Sequence, residues 1–275
     1  MRIRISHSIA YAYVEPARHI TQILRLTPRD HDGQHVMSWR IEPNTDGRLR
    51  ATQDPFGNIV HTFQADGPIA EMAIQVDGLI ETNDLAGVVR GTIERVPIDV
   101  FRRDTLLTSP DEALRGFAVE SVRKAGTPLS QMHALMEALH AETACVETGE
   151  RTGAGAAAAF AAREGIPQDI AHIFMACARH LGLPARYVSG YVAESADLPH
   201  ANGAHAWAEV HLDEYGWIGF DAANGLCPID THVRVAAGLD FADAAPVRGA
   251  RKGGDGEALS VLISAREAGG RFANQ

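Results

Sequence analysis

The chain has little cysteine, fewer basic than acidic residues and no long hydrophobic run. Only three of its 275 residues are cysteine, namely Cys145, Cys177 and Cys227. Three cysteines are too few for a disulfide-dense scaffold, and an odd number leaves one thiol unpaired. The cysteine count therefore indicates a reducing, cytoplasmic location, in which an unpaired thiol is a candidate nucleophile.

Positive charge is also scarce, with 25 Lys and Arg against 35 Asp and Glu, a formal net charge of -10. Such a surface repels phosphate backbones, so we expect no nucleic-acid partner. No apolar run approaches the roughly 20 residues of a membrane helix, and the N-terminus lacks the apolar segment of a signal peptide. We therefore expect no membrane association.

What the sequence does contain is two regions of different periodicity. Apolar and polar residues alternate in the segments 2–14, 24–29 and 36–43, and the turn-forming clusters 44–47 and 54–58 separate such segments. This pattern is typical of short β-strands in a sandwich or barrel.

Helical spacing begins near residue 107. The segment 128–142 carries apolar residues three and four positions apart, and the segment 167–181 has a continuous apolar stripe closed by Gly182 and Pro184. Both patterns predict helices. Strand patterns follow at residues 186–192, 204–212, 217–221 and 259–265.

These patterns divide the chain into three regions. We predict a β-sandwich-like N-terminal domain over residues 1–105, an α+β core over residues 106–245, and a C-terminal tail with one strand over residues 246–275. No internal repeat is present.

The predicted strand at 204–212 carries polar groups on one face. The side chains of His205, Trp207 and Glu209 alternate with small residues, so they lie on the face opposite the alanines. A hairpin would bring Asp221 beside His205, and a carboxylate that orients an imidazole is half of a nucleophile–base–orienter triad. The alternative is an ordinary solvated sheet face.

A metal site is the competing interpretation of the histidines. His205 and His211 lie six residues apart on one strand, roughly 20 Å, which one ion cannot bridge. No HExxH or CxxC motif is present. We therefore predict neither a metal nor a cofactor.

Three segments in this order, residues 165–191, 204–210 and 216–225, resemble the core of bacterial transglutaminase-like proteins, which belong to the papain-like cysteine hydrolase superfamily. The β-rich start, with LRLTPR and DPFGN, resembles the N-terminal region that accompanies this core. The resemblance implies a central helix packed on an antiparallel sheet, and a Cys–His–Asp triad for amide acyl transfer.

His205 and Asp221 correspond to the His and Asp of that triad, but Pro167 stands at the nucleophile position. The first position of a helix accepts Pro because its N–H has no partner within the helix. The resemblance further suggests that Gln168, Trp207 and Tyr187 line the substrate cleft.

Three functions remain open. The first is a homologue without its nucleophile that binds a peptide or a Gln-like side chain. The second is an active cysteine peptidase, amidase or acyltransferase that uses Cys227, Cys145 or an activated water, with His205 as base. The third is a structural module that binds a partner protein. Cys177, on the apolar stripe of its helix, is expected to be buried.

Overall fold

The computed structural model describes residues 1–146, 155–195, 198 and 203–269. Their fold is α+β, as predicted, with a central helix on an antiparallel sheet. The elements are, in chain order, β1 (Arg2–Thr27), β2 (Gln34–Pro43), β3 (Arg48–Gln53), β4 (Ile59–Thr82), β5 (Val88–Val89), a 3₁₀ helix (Ile98–Arg102), α1 (Glu112–Val122), α2 (Pro128–Glu142), β6 (Ala144–Cys145), α3 (Gly155–Ala162), β7 (Glu164–Gly165), α4 (Pro167–His180), β8 (Ala185–Val192), β9 (Gly203–Leu212), β10 (Gly216–Phe220), β11 (His232–Gly238), α5 (Phe241–Ala244), β12 (Val247–Gly253) and β13 (Glu257–Glu267).

The first sheet is built on the two long antiparallel strands β1 and β4. The first half of β1 and the second half of β4 lie between β13 and β2, whereas their other halves lie between β12 and β3. Side chains of both halves, including Tyr11, Ile74, Leu24 and Phe63, share one core. The sheet therefore bends over itself into the predicted sandwich-like form.

The sequence suggested shorter strands in this region. The breaker residues Pro16 and Pro68 do not end a strand, but lie where the β1–β4 pairing register shifts between Ala12 and His19. A bulge or irregularity lets a strand bend and continue, so a breaker within an alternating pattern can mark a corner.

The C-terminal tail contains two strands where the sequence predicted one. The segment 247–253, rich in Gly and basic residues, forms β12 and pairs with β1 from Ala17 to Leu24. Exposed basic side chains are a common feature of edge strands. Both β12 and β13 belong to the N-terminal sheet.

The boundary predicted at residue 105 also differs. After Thr82 the chain joins the second sheet, because β5 pairs with β10 and Phe101 of the 3₁₀ helix packs edge-on against Trp217, with ring centroids 5.1 Å apart. The segment 83–107 has no regular apolar spacing, so the sequence offered no signal for this placement.

The second sheet has the strand order β11-β8-β9-β10-β5 and is antiparallel. Helix α4 packs on β8 and β9, with Ile170, Phe174 and Cys177 buried in one cluster with Ala206 and Ala208. Ile3, Ile5 and Ile80 of the first sheet belong to the same cluster, so the two parts share a core. No helix in the described ranges has both the length and the apolar character of a membrane span.

Candidate active site

His205 and Asp221 meet at one end of the second sheet. The β9–β10 hairpin pairs Phe220 with Ala208, which returns Asp221 to the strand that carries His205. Nε2 of His205 lies 2.7 Å from Oδ2 of Asp221, and both side chains are fully buried. The contact predicted from the hairpin is confirmed.

One oxygen of Asp221 accepts three hydrogen bonds. Besides His205, Asn224 donates through Nδ2 at 2.7 Å and His232 lies at 3.1 Å through Nε2. Burial alone would raise the pKa of Asp221, but the charges and hydrogen bonds of the two imidazoles outweigh burial and hold it far below its ordinary range. Asp221 is therefore a carboxylate at neutral pH.

The carboxylate fixes the tautomer of His205. Because a carboxylate only accepts, Nε2 must carry the proton, and the neutral ring then has its lone pair on Nδ1. Nδ1 is buried and has no hydrogen-bond partner among the described residues. It is the atom that a general base would use, and it is oriented by Asp221 as in an acyl-transfer triad.

His232 is the site residue that the sequence analysis missed. It begins β11, and its Nδ1 accepts from the backbone N–H of Ile229 at 3.3 Å, so the proton of the neutral ring sits on Nε2 and points at Asp221. The available signal was weak: His232 follows the third segment of the resemblance by seven residues, outside any catalytic motif.

His205, Asp221 and His232 bring three possible metal ligands within 4.8 Å of one another. The spacing argument from His205 and His211 did not consider this set. Hydrogen bonds nevertheless account for the contacts of Asp221 with both imidazoles, since each Nε2 directs a proton at the carboxylate. Coordination by His232 would move its proton to Nδ1 and break the bond from Ile229.

The polar face of β9 is buried, so it is not an ordinary solvated face. Trp207 is 3% exposed and its ring packs beside those of His205 and His232, at centroid distances of 6.3 and 5.5 Å. It forms one side of the site. Further along, Glu209 is fully buried and bonded to Arg186 and Arg234.

Pro167 and Gln168 lie at the start of α4, as expected. Both are half-buried. The Oε1 atom of Gln168 is buried and has no hydrogen-bond partner in the described part of the chain, and neither residue is hydrogen-bonded there to the His205–Asp221 pair.

Tyr187, predicted to line the cleft, is fully buried. Its ring packs on His172 at 5.0 Å and on Phe241 at 6.1 Å. It is a core residue of β8 that packs against neighbouring elements. The sequence could not show this, because alternation along a strand does not reveal which face is covered.

The three cysteines occupy different environments. Cys177 is fully buried on α4, and burial raises its pKa far above the ordinary range, so it is an inert thiol. Cys227 is half-buried against Gly87, and burial raises its pKa to about 11. Cys145 pairs with Gly165 in the parallel β6–β7 ladder, and Gly165 lies two residues before Pro167 in the chain.

Two family profiles match the chain and together cover more than half of it. Residues 3–81 match the bacterial transglutaminase-like N-terminal region, and residues 115–222 match the transglutaminase-like superfamily. The chain belongs to the transglutaminase-like superfamily. The transglutaminase-like core contains α4, His205 and Asp221, whereas His232 lies beyond it.

Relatives of this transglutaminase-like chain span nearly its whole length. An uncharacterised protein of Mycobacterium leprae is 26% identical over 95% of this chain and 97% of its own. An uncharacterised protein of Mycobacterium tuberculosis is 26% identical over 90% of this chain and 87% of its own. The crystal structure of a candidate cysteine protease from Cytophaga hutchinsonii matches with a TM-score of 0.78, 20% identity, and coverage of 99% of this chain and 92% of that one. At that identity the structural match establishes the fold alone.

Proposed function

We propose that this protein is a transglutaminase-like homologue that keeps the His and Asp of a Cys–His–Asp triad, lacks the Cys, and binds a peptide or a Gln-like side chain with little or no acyl transfer. The observation that carries the proposal is the buried 2.7 Å contact between His205 and Asp221, combined with Pro167 at the first position of α4. A base is oriented, and the first position of α4 carries no thiol.

The missing thiol matters more than any other change at this site. Amide acyl transfer needs a thiolate that attacks the carbonyl carbon, and the helix N-terminus and an imidazole normally lower the pKa of that thiol. Pro167 provides neither a nucleophile nor a proton for Nδ1 of His205. The fold tolerates it because the N-terminal position of α4 needs no N–H donor.

One alternative has a specific observation in its favour. Cys145 pairs with Gly165 across neighbouring parallel strands, about 4.8 Å apart in the backbone, and is therefore close to the start of α4. A thiol on β6 could take the role of the absent one. Cys227 is a weaker candidate, since burial raises its pKa to about 11.

The decisive experiment is Pro167→Cys, assayed for amine incorporation into Gln peptides and for peptide amide hydrolysis. We expect the wild type to be inert and Pro167→Cys to gain activity that alkylation abolishes. Pro167→Ser is the matched control. His205→Ala in the Pro167→Cys background should remove the activity, since the thiol then loses its base.

Other outcomes separate the alternatives. Wild-type turnover that disappears in Cys145→Ala would contradict the proposal and establish a relocated nucleophile. Turnover that survives loss of all three cysteines but not His205→Ala would indicate an activated water. If Pro167→Cys folds and remains inert, the proposal of a retained triad fails and a partner-binding module is favoured.

The proposal includes a peptide or protein ligand and a cytoplasmic location. The location rests on the small number of cysteines and is tested by cell fractionation. The ligand is tested by binding of Gln-containing peptides to the wild-type chain, which should weaken in Trp207→Ala, because Trp207 packs on His205.

A further inference from the structure

A cavity of about 100 Å³ lies between the turns of the first sheet and strands β8 and β11. Its charged lining comes from Arg29 and Asp30 after β1, from Arg186 on β8 and from Arg234 on β11. Arg186 and Arg234 bond to Glu209 of β9, which is four residues from His205, or roughly 13 Å along the strand. The cavity is therefore separate from the His205–Asp221 pair.

Most carboxylates near this cavity are already engaged. Glu209 accepts from Arg186 and from Arg234. Glu94 accepts from Arg186 at 2.9 and 3.1 Å. These two acids compensate the two buried arginines. Burial alone would raise the pKa of Glu209, but the charges and hydrogen bonds of Arg186 and Arg234 outweigh burial and lower that pKa to about 2.

Two further carboxylates near the cavity, Asp54 and Asp30, have partners elsewhere. Asp54 accepts from the backbone N–H groups of Phe56 and Asn58, from the Asn58 amide and from Nε of Arg25. Asp30 is exposed and accepts from the backbone N–H of Val36. Neither pairs with Arg29.

Arg29 is thus the cation of this cavity without a carboxylate partner among the described residues. Its Nε and Nη2 atoms are shielded from solvent and have no hydrogen-bond acceptor there. Burial, followed by repulsion from Arg95, lowers its pKa, while the negative charge of Asp54 acts in the opposite direction. Shielding two guanidinium nitrogens of this half-buried side chain without an acceptor is unfavourable, because their desolvation is not offset by a hydrogen bond.

We propose that this cavity binds a small oxyanion, a carboxylate or phosphate group, held by the guanidinium of Arg29. A guanidinium presents parallel N–H donors that match two oxygens of either group. A water needs roughly 10–15 Å³ of cavity volume, so this cavity has room for several waters and hence for a carboxylate or phosphate group. Water can accept a hydrogen bond but carries no charge, so an oxyanion matches this guanidinium better.

The test is calorimetric or NMR titration of the wild-type chain with inorganic phosphate and, separately, with acetate, at constant ionic strength. We expect one saturable site for at least one of the two anions. The anion that binds more tightly identifies the chemical class of the ligand. Arg29→Gln should weaken that binding at least tenfold. Arg123→Gln, at an exposed position directly after α1, is the control and should bind like the wild type.

A second variant tests the cavity without removing Arg29. Ile93 lines the cavity and is 46% exposed, so Ile93→Trp should fill its mouth and weaken binding at least tenfold. This variant tests whether the cavity binds the anion if Arg29→Gln does not fold. Absence of saturable binding by either anion, or unchanged affinity in a folded variant of either kind, overturns the proposal.

Discussion

At the residue scale, one carboxylate oxygen organises the candidate active site. Asp221 holds His205 and His232 through their Nε2 atoms and Asn224 through its amide. The sequence predicted the first contact, because strand parity and a hairpin suffice to bring Asp221 near His205. It could not predict His232, because this contact depends on how the loop after β10 returns to the sheet.

This arrangement predicts the tautomers of both imidazoles. At pH 8, where free imidazole is neutral, long-range ¹H–¹⁵N NMR spectra should show His205 and His232 protonated at Nε2. Asp221→Asn should perturb both rings together. The exposed His35 of β2 is the control and should be unaffected by the substitution. A proton on Nδ1 of His232 would contradict the proposed network and reopen the metal interpretation.

At the element scale, the predictions for α4, β9 and β10 are close to the structure, whereas those for β1 and β12 are not. Helix α4 begins at the predicted Pro167, since Pro at the first position and the apolar stripe are local signals. Strand β9 has polar side chains that are buried by contacts with other segments. Local alternation gives the two faces of a strand but does not tell what covers them.

Glu209 provides a prediction for β9. Glu209→Gln leaves Arg186 and Arg234 buried without their shared counterion, and breaking a buried ion pair costs about 3–5 kcal/mol. We expect the free energy of unfolding, measured in urea at pH 7, to fall by about that amount. The exposed Glu214→Gln, in the β9–β10 turn, should change it by less than about 0.5 kcal/mol.

The same substitution has a defined pH dependence. The pKa of Glu209 is lowered to about 2 in the folded chain, so its stabilisation is complete above the ordinary pKa of a glutamate and is lost as pH falls towards 2. The difference between wild type and Glu209→Gln should therefore be constant from pH 8 to about 5 and shrink below. A difference that grows on acidification would contradict this assignment.

At the scale of the whole molecule, the two sheets are joined by side-chain amides that hydrogen-bond to backbone groups as a neighbouring strand would. The amide of Gln34 bonds to both the N–H and the C=O of Arg234, and that of Asn58 does the same with Ala237. No periodic pattern reports such contacts, which span 200 and 179 residues. This explains why the sequence predicted the folds of the parts but misplaced the boundary between them.

His7 also lies at this junction and makes the stability of the whole chain depend on pH. It is buried on β1, with Nδ1 2.9 Å from the hydroxyl of Tyr191 on β8, and burial lowers its pKa to about 4. Between pH 6.5 and 4 the unfolded chain binds a proton at His7 that the folded chain does not. The free energy of unfolding therefore falls through this range as pH falls.

From pH 7 to 5 this histidine alone should cost roughly 2 kcal/mol, since one pKa unit corresponds to about 1.4 kcal/mol. His7→Gln keeps a group able to bond Tyr191. Over the same interval, its free energy of unfolding, measured in urea, should fall by about that much less than the free energy of the wild type. His35→Gln, at an exposed position, should retain the wild-type slope. Equal slopes in the wild type and His7→Gln would mean that the junction of the two sheets opens enough to solvate this ring without unfolding, and that it is less tightly packed than the shared core of Ile3, Ile5 and α4 implies.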